Sequence, residues 1–326
     1  MAPARPAHPA GPAAGGDRRV TTIEDAAAAV RDTGGELRAG GTDIMTRAAR
    51  PPVDLLGIPA LRGITWRPDG SARIGALTTI ADLLADDRLT AAYPALAATA
   101  AAVATPQIRN VATVGGNLLQ RNRCWYPRNS LTCHQTGGDT CPARDGAHLY
   151  SAVIDQGPCI APHPSSLAGA LLTYAATAEV HGRDALDVAD LYGDGTDPTR
   201  DHRLDPTEIL QAVLLPAPTP ERAAYRRATA REMAEWPLVE AAARLTFDGE
   251  TITTAAVAVG GVARTPLLLP EVAEALVGKP ATQETLAAAA DLATARCSPF
   301  PQTAYKVPLL RATLIDTLTA CTSPTP

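Results

Sequence analysis

No stretch of this 326-residue chain approaches the roughly 20 consecutive apolar residues of a bilayer-crossing helix, because Thr, Pro, Arg or Asp interrupts every hydrophobic segment. A soluble protein with no membrane partner is expected. A basic excess is also missing. Lys and Arg total 29 against 34 Asp and Glu, and a net charge of -5 provides no field to gather a polyanion, so no nucleic-acid partner is expected. The beginning of the chain has no apolar core of the secretory type: residues 1–17 are almost entirely Ala, Pro and Gly and read as a disordered arm. The pair Arg18-Arg19 is followed by Val20-Thr21-Thr22-Ile23-Glu24-Asp25 rather than a hydrophobic run, so a cytoplasmic location is expected.

The composition that remains is 46% hydrophobic and 19% charged, which is enough apolar material for sizeable cores. At roughly 150 residues per domain the length implies two of them. Thr22 and Asp25 stand at capping-box spacing before Ala26–Val30, and Gly34-Gly35 stop that helix. A strand over Glu36–Ala39 follows. Thr79 with Asp82 opens a second helix, and Ala91–Ala104 reads as a third, alanine-rich one ending near Pro106. From Leu186 to about Thr219 the chain is rich in Asp, Pro and Gly and reads as irregular connections, with the domain boundary at residues 219/220. Leu238–Phe247 and Thr251–Val259 form a hairpin signal across Asp248-Gly249, and helices are expected over Pro270–Val277, Thr282–Ala295 and Tyr305–Cys321. The class is mixed α/β, with a small sheet backed by helices at the C-terminus.

Two glycine turns stand out. Gly40-Gly41-Thr42 follows the first strand, and Thr113-Val114-Gly115-Gly116-Asn117 repeats the pattern of paired glycines beside a hydroxyl. Glycines let main-chain amides approach an anionic group such as a diphosphate. The three-glycine Rossmann fingerprint and the Gly-Lys-Ser/Thr phosphate loop are both absent, so neither common nucleotide fold is indicated.

Four of six cysteines, Cys124, Cys133, Cys141 and Cys159, fall within 36 residues. Disulfides are disfavoured without a secretion signal, and the clustering disfavours scattered buried thiols, which leaves metal binding as the leading reading. Gaps of eight, seven and seventeen residues are wider than the paired spacing of structural zinc and suit an iron-sulfur cluster at least as well. Arg121, Arg123, Arg128 and Arg144 lie close by in sequence and together could balance an anionic cluster, while for any single one of them a solvated loop surface is the better reading. His134 and His148 are not needed as ligands beside four thiols. Cys297 and Cys321 read as buried bystanders, and His163, between Pro162 and Pro164, as a packed or cofactor-lining residue and not an acid-base catalyst.

Leu37–Ile44 and Thr105–Leu118 resemble the two flavin-binding segments of the FAD subunit of molybdenum hydroxylases, the family of xanthine dehydrogenase, carbon monoxide dehydrogenase and bacterial aldehyde oxidoreductases. Gln120–Tyr126, the later cysteines and Cys159–Ser165 resemble the branch with an additional 4Fe-4S cluster, as in periplasmic-type aldehyde oxidoreductases and 4-hydroxybenzoyl-CoA reductase. Glu235–Val239 and Gly260–Ala263 resemble the family's C-terminal domain. The resemblance implies a vanillyl-alcohol-oxidase-type (PCMH-type) FAD-binding domain of two subdomains over residues 18–219, with a 4Fe-4S loop over 120–160, and a C-terminal domain over 220–326. It assigns FAD contacts to Leu37, Arg38, Ala39, Gly40, Gly41, Thr42, Asp43 and Ile44, and to Thr105, Thr113, Gly115, Gly116, Asn117 and Leu118. It assigns the cluster to Cys124, Cys133, Cys141 and Cys159, and no catalytic side chain. Ser166 and Arg227 stand where relatives often carry Asp and Lys beside the flavin, and Pro127 where they usually carry an aromatic residue.

The function implied is electron transfer within a three-subunit enzyme. A molybdopterin-binding large subunit oxidises the substrate, and a small 2Fe-2S subunit delivers electrons to this chain's FAD. The final acceptor is ferredoxin, a quinone, oxygen or NAD. Two alternatives stay open at this level: a free-standing FAD-dependent oxidase or dehydrogenase, and a non-enzymatic metal-stabilised interaction module.

Overall fold

The computed structural model describes residues 20–47, 50–231 and 234–322. The arm over residues 1–17 lies outside them. The first element is the helix Ile23–Thr33, whose start is fixed by the Thr22 side chain accepting from the Asp25 amide at 3.1 Å. Glu24 and Asp25 in its first turn complement the helix dipole, and Gly34 closes it at φ 62°. Its apolar face, Ala26, Ala27 and Val30, packs on Val53, Ile58 and Leu61. The strand Glu36–Arg38 then pairs in parallel with Pro52–Asp54, placing Leu37 opposite Val53. This small unit delivers the first glycine turn.

A five-stranded sheet forms the second layer, in the order Ile64–Trp66, Ala72–Gly75, Leu210–Leu215, Thr177–Val180, Leu186–Asp187. Its core partners include the helices Ile80–Ala85, Pro94–Ala102 and Ser166–Thr173. Thr79 and Asp82 form both halves of a capping box at the start of the first of these.

Two expectations change here. The alanine-rich helix is not continuous: it divides into Asp87–Ala92 and Pro94–Ala102 at Tyr93. Pro94 has no amide hydrogen to continue the ladder and forces the residue before it out of helical backbone, here to φ −131°, ψ 67°. The stretch read as irregular connections contains Leu210–Leu215, the central strand of the sheet, with Leu210, Ala212, Val213 and Leu215 buried. A strand covered on both faces shows no polar alternation, so its period is silent.

The C-terminal region is an antiparallel sheet in the order Leu267–Leu268, Thr251–Gly260, Val239–Asp248, Arg222–Ala228. Gly249, at φ 59°, makes the tight reversal between its two ten-residue strands. The helices Pro270–Leu276, Gln283–Thr294 and Lys306–Thr322 cover one face. Leu310, Leu314 and Leu318 from the last helix meet Leu245, Val257 and Val259 from the strands. Lys306, almost wholly buried, donates to the Gly261 carbonyl at 2.8 Å and the Tyr150 carbonyl at 3.3 Å. It fastens this helix to the cysteine-bearing region. Burial holds its ammonium down at about 7.

Leu314 is fully buried at the centre of that packing. Leu314→Ala should destabilise the chain by about 2–5 kcal/mol, from lost apolar contact plus the residual cavity. Urea unfolding followed by circular dichroism measures it, and an unchanged midpoint would contradict the packing described.

Candidate functional site

Both glycine turns open onto one cleft of about 740 Å³, within the range of roughly 300–1,000 Å³ typical of small-molecule and cofactor sites. Its wall contains the whole run Leu37, Arg38, Ala39, Gly40, Gly41, Thr42, Asp43 and Ile44, together with Thr113, Gly115 and Gly116. Thr105, Asn117, Leu118, Ser166 and Arg227 lie outside that lining.

The turns are held against each other by main-chain contacts that leave no room for side chains. A Cβ on Gly40 would lie 1.7 Å from the Val111 carbonyl oxygen, and one on Gly115 would lie 2.9 Å from the Ala76 Cβ. Gly41 adopts φ 76°, a left-handed backbone that glycine takes without strain. The second turn is pinned by the Gly115 amide donating to the Ala76 carbonyl at 2.8 Å and the Val114 amide donating to the Thr78 carbonyl at 2.9 Å. Thr113 accepts from the Gly116 amide at 3.1 Å, which fixes the turn's shape. A cradle of glycine backbone this close fits a dinucleotide diphosphate.

Asp43 sits at the junction of the cleft with the cysteine segment. Its carboxylate accepts from the Arg121 amide at 3.1 Å, from Arg128 at 3.0 Å, from Arg47 at 3.3 Å and from Arg123. Burial opposes ionisation of Asp43, yet the Arg123 guanidinium, the Arg121 amide and the other arginines outweigh it and hold the carboxyl below its usual range. Arg123 also lies 4.3 Å over the Trp236 ring, so it ties the cleft to the C-terminal region.

The other assigned polar residues are engaged elsewhere. Asn117 accepts from the Ser165 hydroxyl at 2.8 Å. Thr105 caps the short helix Pro106–Arg109, and Leu118 is buried in the core. Ser166 is buried beside the Tyr225–Glu240 pair, where burial pushes the Glu240 carboxyl up. Arg227 donates to the Ala102 carbonyl at 2.7 Å and to the Glu235 carbonyl.

Cys124, Cys133, Cys141 and Cys159 all line a second, small cavity of about 10 Å³, with Asn122, His134 and Gln135 in its wall. Cys124 is pushed up to about 12 by burial, with the three other thiols adding to the effect. Among the described residues no group of three or more His, Cys, Asp or Glu is placed to hold a single metal ion. Four thiols lining one cavity are the donor set that an iron-sulfur cluster requires.

His148 is held away from this cavity: it accepts from the Gln302 amide at 3.2 Å and packs on Phe300. Cys297 and Cys321 belong to the C-terminal core. His163 is buried against Tyr192 and kept neutral, its imidazole lowered to about 3 by burial.

Each of the nearby arginines has a carboxylate partner. Arg123 and Arg128 bind Asp43, Arg121 pairs with Asp201 at 3.3 Å and Arg144 with Asp155 at 2.9 Å. The guanidinium that most favours a thiolate at Cys159 is that of Arg264, which no motif marks. His202 is likewise absent from the sequence reading and lines the cleft, its imidazole lowered to about 4 chiefly by burial and then by Arg121.

Residues 18–218 match a family model described as the FAD binding domain in molybdopterin dehydrogenase, and residues 222–320 match the CO dehydrogenase flavoprotein C-terminal domain. The chain is 34% identical over 317 residues to the aldehyde oxidoreductase FAD-binding subunit PaoB of Escherichia coli, covering 93% of this chain and 96% of that one. It is 30% identical over 291 residues to the carbon monoxide dehydrogenase medium chain of Afipia carboxidovorans, covering 86% of each. Among solved structures, reconstituted CO dehydrogenase from Oligotropha carboxidovorans superimposes with a TM-score of 0.71 at 25% identity, over 92% of this chain and 94% of that one.

Gly40→Ala should reduce the FAD retained through purification, because its methyl group would push the two turns apart. Gly41→Val and Gly116→Val should do the same. Gly169→Ala, where an added Cβ meets no atom within 4 Å, should retain the flavin. The flavin-to-protein ratio reads all four, and wild-type retention by the three turn variants would exclude the cleft as the flavin site.

Proposed function

The chain belongs to the family of FAD-binding subunits of molybdenum hydroxylases, and on that premise we propose that it is the electron-exit subunit of such a complex, carrying both FAD and a 4Fe-4S cluster. The observation that supports this reading is the meeting of two glycine turns in one cleft, beside a cavity walled by all four clustered cysteines. FAD, when bound, exchanges electrons with both one-electron and two-electron partners, and the cluster adds a one-electron site.

This chain's residues bind and orient. Main-chain groups at Gly40, Gly41, Gly115 and Gly116 leave space for the diphosphate, and Arg47 and Arg121 add positive charge to the cleft wall. Thr105, Asn117, Leu118, Ser166 and Arg227 are proposed to shape the flavin's surroundings from behind that wall. Cys124, Cys133, Cys141 and Cys159 would hold the cluster.

The partners are a molybdopterin-binding large subunit and a small 2Fe-2S subunit, consistent with the relatives named as a medium chain or as an FAD-binding subunit. The acceptor is ferredoxin, a quinone, oxygen or NAD. No helix among the described residues is long and apolar enough to cross a membrane, and the complex is proposed to work in the cytoplasm.

Expression with the two partner chains should give a copurifying complex containing molybdenum, flavin and iron. A chain that forms no such complex and takes up neither flavin nor iron would overturn the reading. Replacing Cys124, Cys133, Cys141 or Cys159 singly by Ser should lower iron and acid-labile sulfide while FAD remains. Cys297→Ser should leave both unchanged. Intact iron in all four variants would remove the ligand assignment.

A further inference from the structure

The cysteine cavity and the flavin cleft share a wall, and a buried carboxylate stands behind it. The Asp201 side chain is fully shielded from solvent. It accepts from the Asn122 amide nitrogen at 3.2 Å, the Asn122 side chain at 2.9 Å and the Gln135 side chain at 3.0 Å. It also pairs with Arg121 at 3.3 Å and with the buried Arg264. Asn122 and Gln135 line the cysteine cavity, whereas Arg121 lines the cleft. Asn122 in turn accepts from the Cys124 amide at 2.9 Å. One carboxylate therefore fixes the backbone two residues before Cys124, a wall residue two positions after Cys133, and the buried Arg264.

We propose that Asp201 and Arg264 are positioning residues whose opposed charges set the reduction potential of a cluster held by the four cysteines. The inference rests on the cluster reading above. Its physical content is a sign. A cluster with four thiolates is anionic, and reduction adds a further negative charge. A neighbouring carboxylate disfavours that step and a neighbouring guanidinium favours it, most strongly where water does not screen them. Because Asp201 is saturated by Asn122, Gln135, Arg121 and Arg264, it stays ionised despite burial, and its charge is a fixed part of the site.

The test uses the chain copurified with its partners and follows the cluster by electron paramagnetic resonance in a mediated redox titration, with iron, sulfide and FAD assayed on the same samples. Asp201→Asn should raise the cluster potential and Arg264→Gln should lower it. Each shift should change the reduced-to-oxidised ratio at fixed applied potential by about tenfold, which for a one-electron couple is about 59 mV. Potentials unmoved in both variants, with iron and sulfide intact, overturn the charge-pair role and leave the cluster reading standing. Wild-type complex with no 4Fe-4S signal, and no iron or sulfide beyond what the small subunit's 2Fe-2S centres account for, overturns that reading and this inference with it. Should Asp201→Asn lose its iron, the paired variant Asp201→Asn/Arg264→Gln removes both charges together. Recovery of iron there, with a potential near wild type, supports the pair, and continued loss overturns it.

Discussion

The segment Gln120–Arg128 is gripped by two carboxylates, the half-buried Asp43 and the buried Asp201, and the arrangement of the molecule follows from that grip. Asp43 comes from the first glycine turn and binds the Arg121 amide and the side chains of Arg123 and Arg128. Asp201 comes from the connection before the central strand and binds Asn122 and Arg121. A short stretch with no sheet and only one turn of helix, Trp125–Arg128, is thereby held as rigidly as an element. Burying carboxylates is costly unless charge and hydrogen bonds compensate them, and both are compensated several times over. The glycine-lined cleft and the cysteine cavity accordingly adjoin along this segment, with Arg121 in the lining of the first and Asn122 in that of the second.

The legible parts of the sequence were those written in local chemistry. Capping hydroxyls at Thr22 and Thr79, the Gly249 reversal and the leucines of the last helix each act over a few residues and could be read directly. The glycine turns were legible because a close main-chain approach demands glycine, and the grouping of the four cysteines because they crowd into one short stretch of chain, which the fold brings around one cavity. Long-range placement was not legible. Leu210–Leu215 has no alternation because both its faces are covered, and its neighbours in the sheet are thirty or more residues away on one side and more than a hundred on the other. Asp201, Arg264 and His202 carry no motif, and their importance appears only once distant segments meet.

The arginines show the same limit from another direction. Arg121, Arg123, Arg128 and Arg144 are near the cysteines in sequence, but in space each already has a carboxylate partner. Proximity along the chain is therefore a poor guide to which cation compensates a buried anion. Arg264, from the C-terminal sheet region, reaches Asp201 and electrostatically reaches Cys159. Arg123 over Trp236 and Arg227 on the Ala102 carbonyl add further ties between the two halves of the chain.

The central position of Leu210–Leu215 carries a consequence for biogenesis. A ribosome releases both flanking strands, Ala72–Gly75 and Thr177–Val180, before the strand that must join them. Until then each flank is paired on one edge only, with Ile64–Trp66 or with Leu186–Asp187, and all four clustered thiols have emerged ahead of Asp201. The nascent chain thus passes through an interval in which its four clustered thiols lack their finished enclosure. Arrival of the late strand and its preceding carboxylate then closes the door.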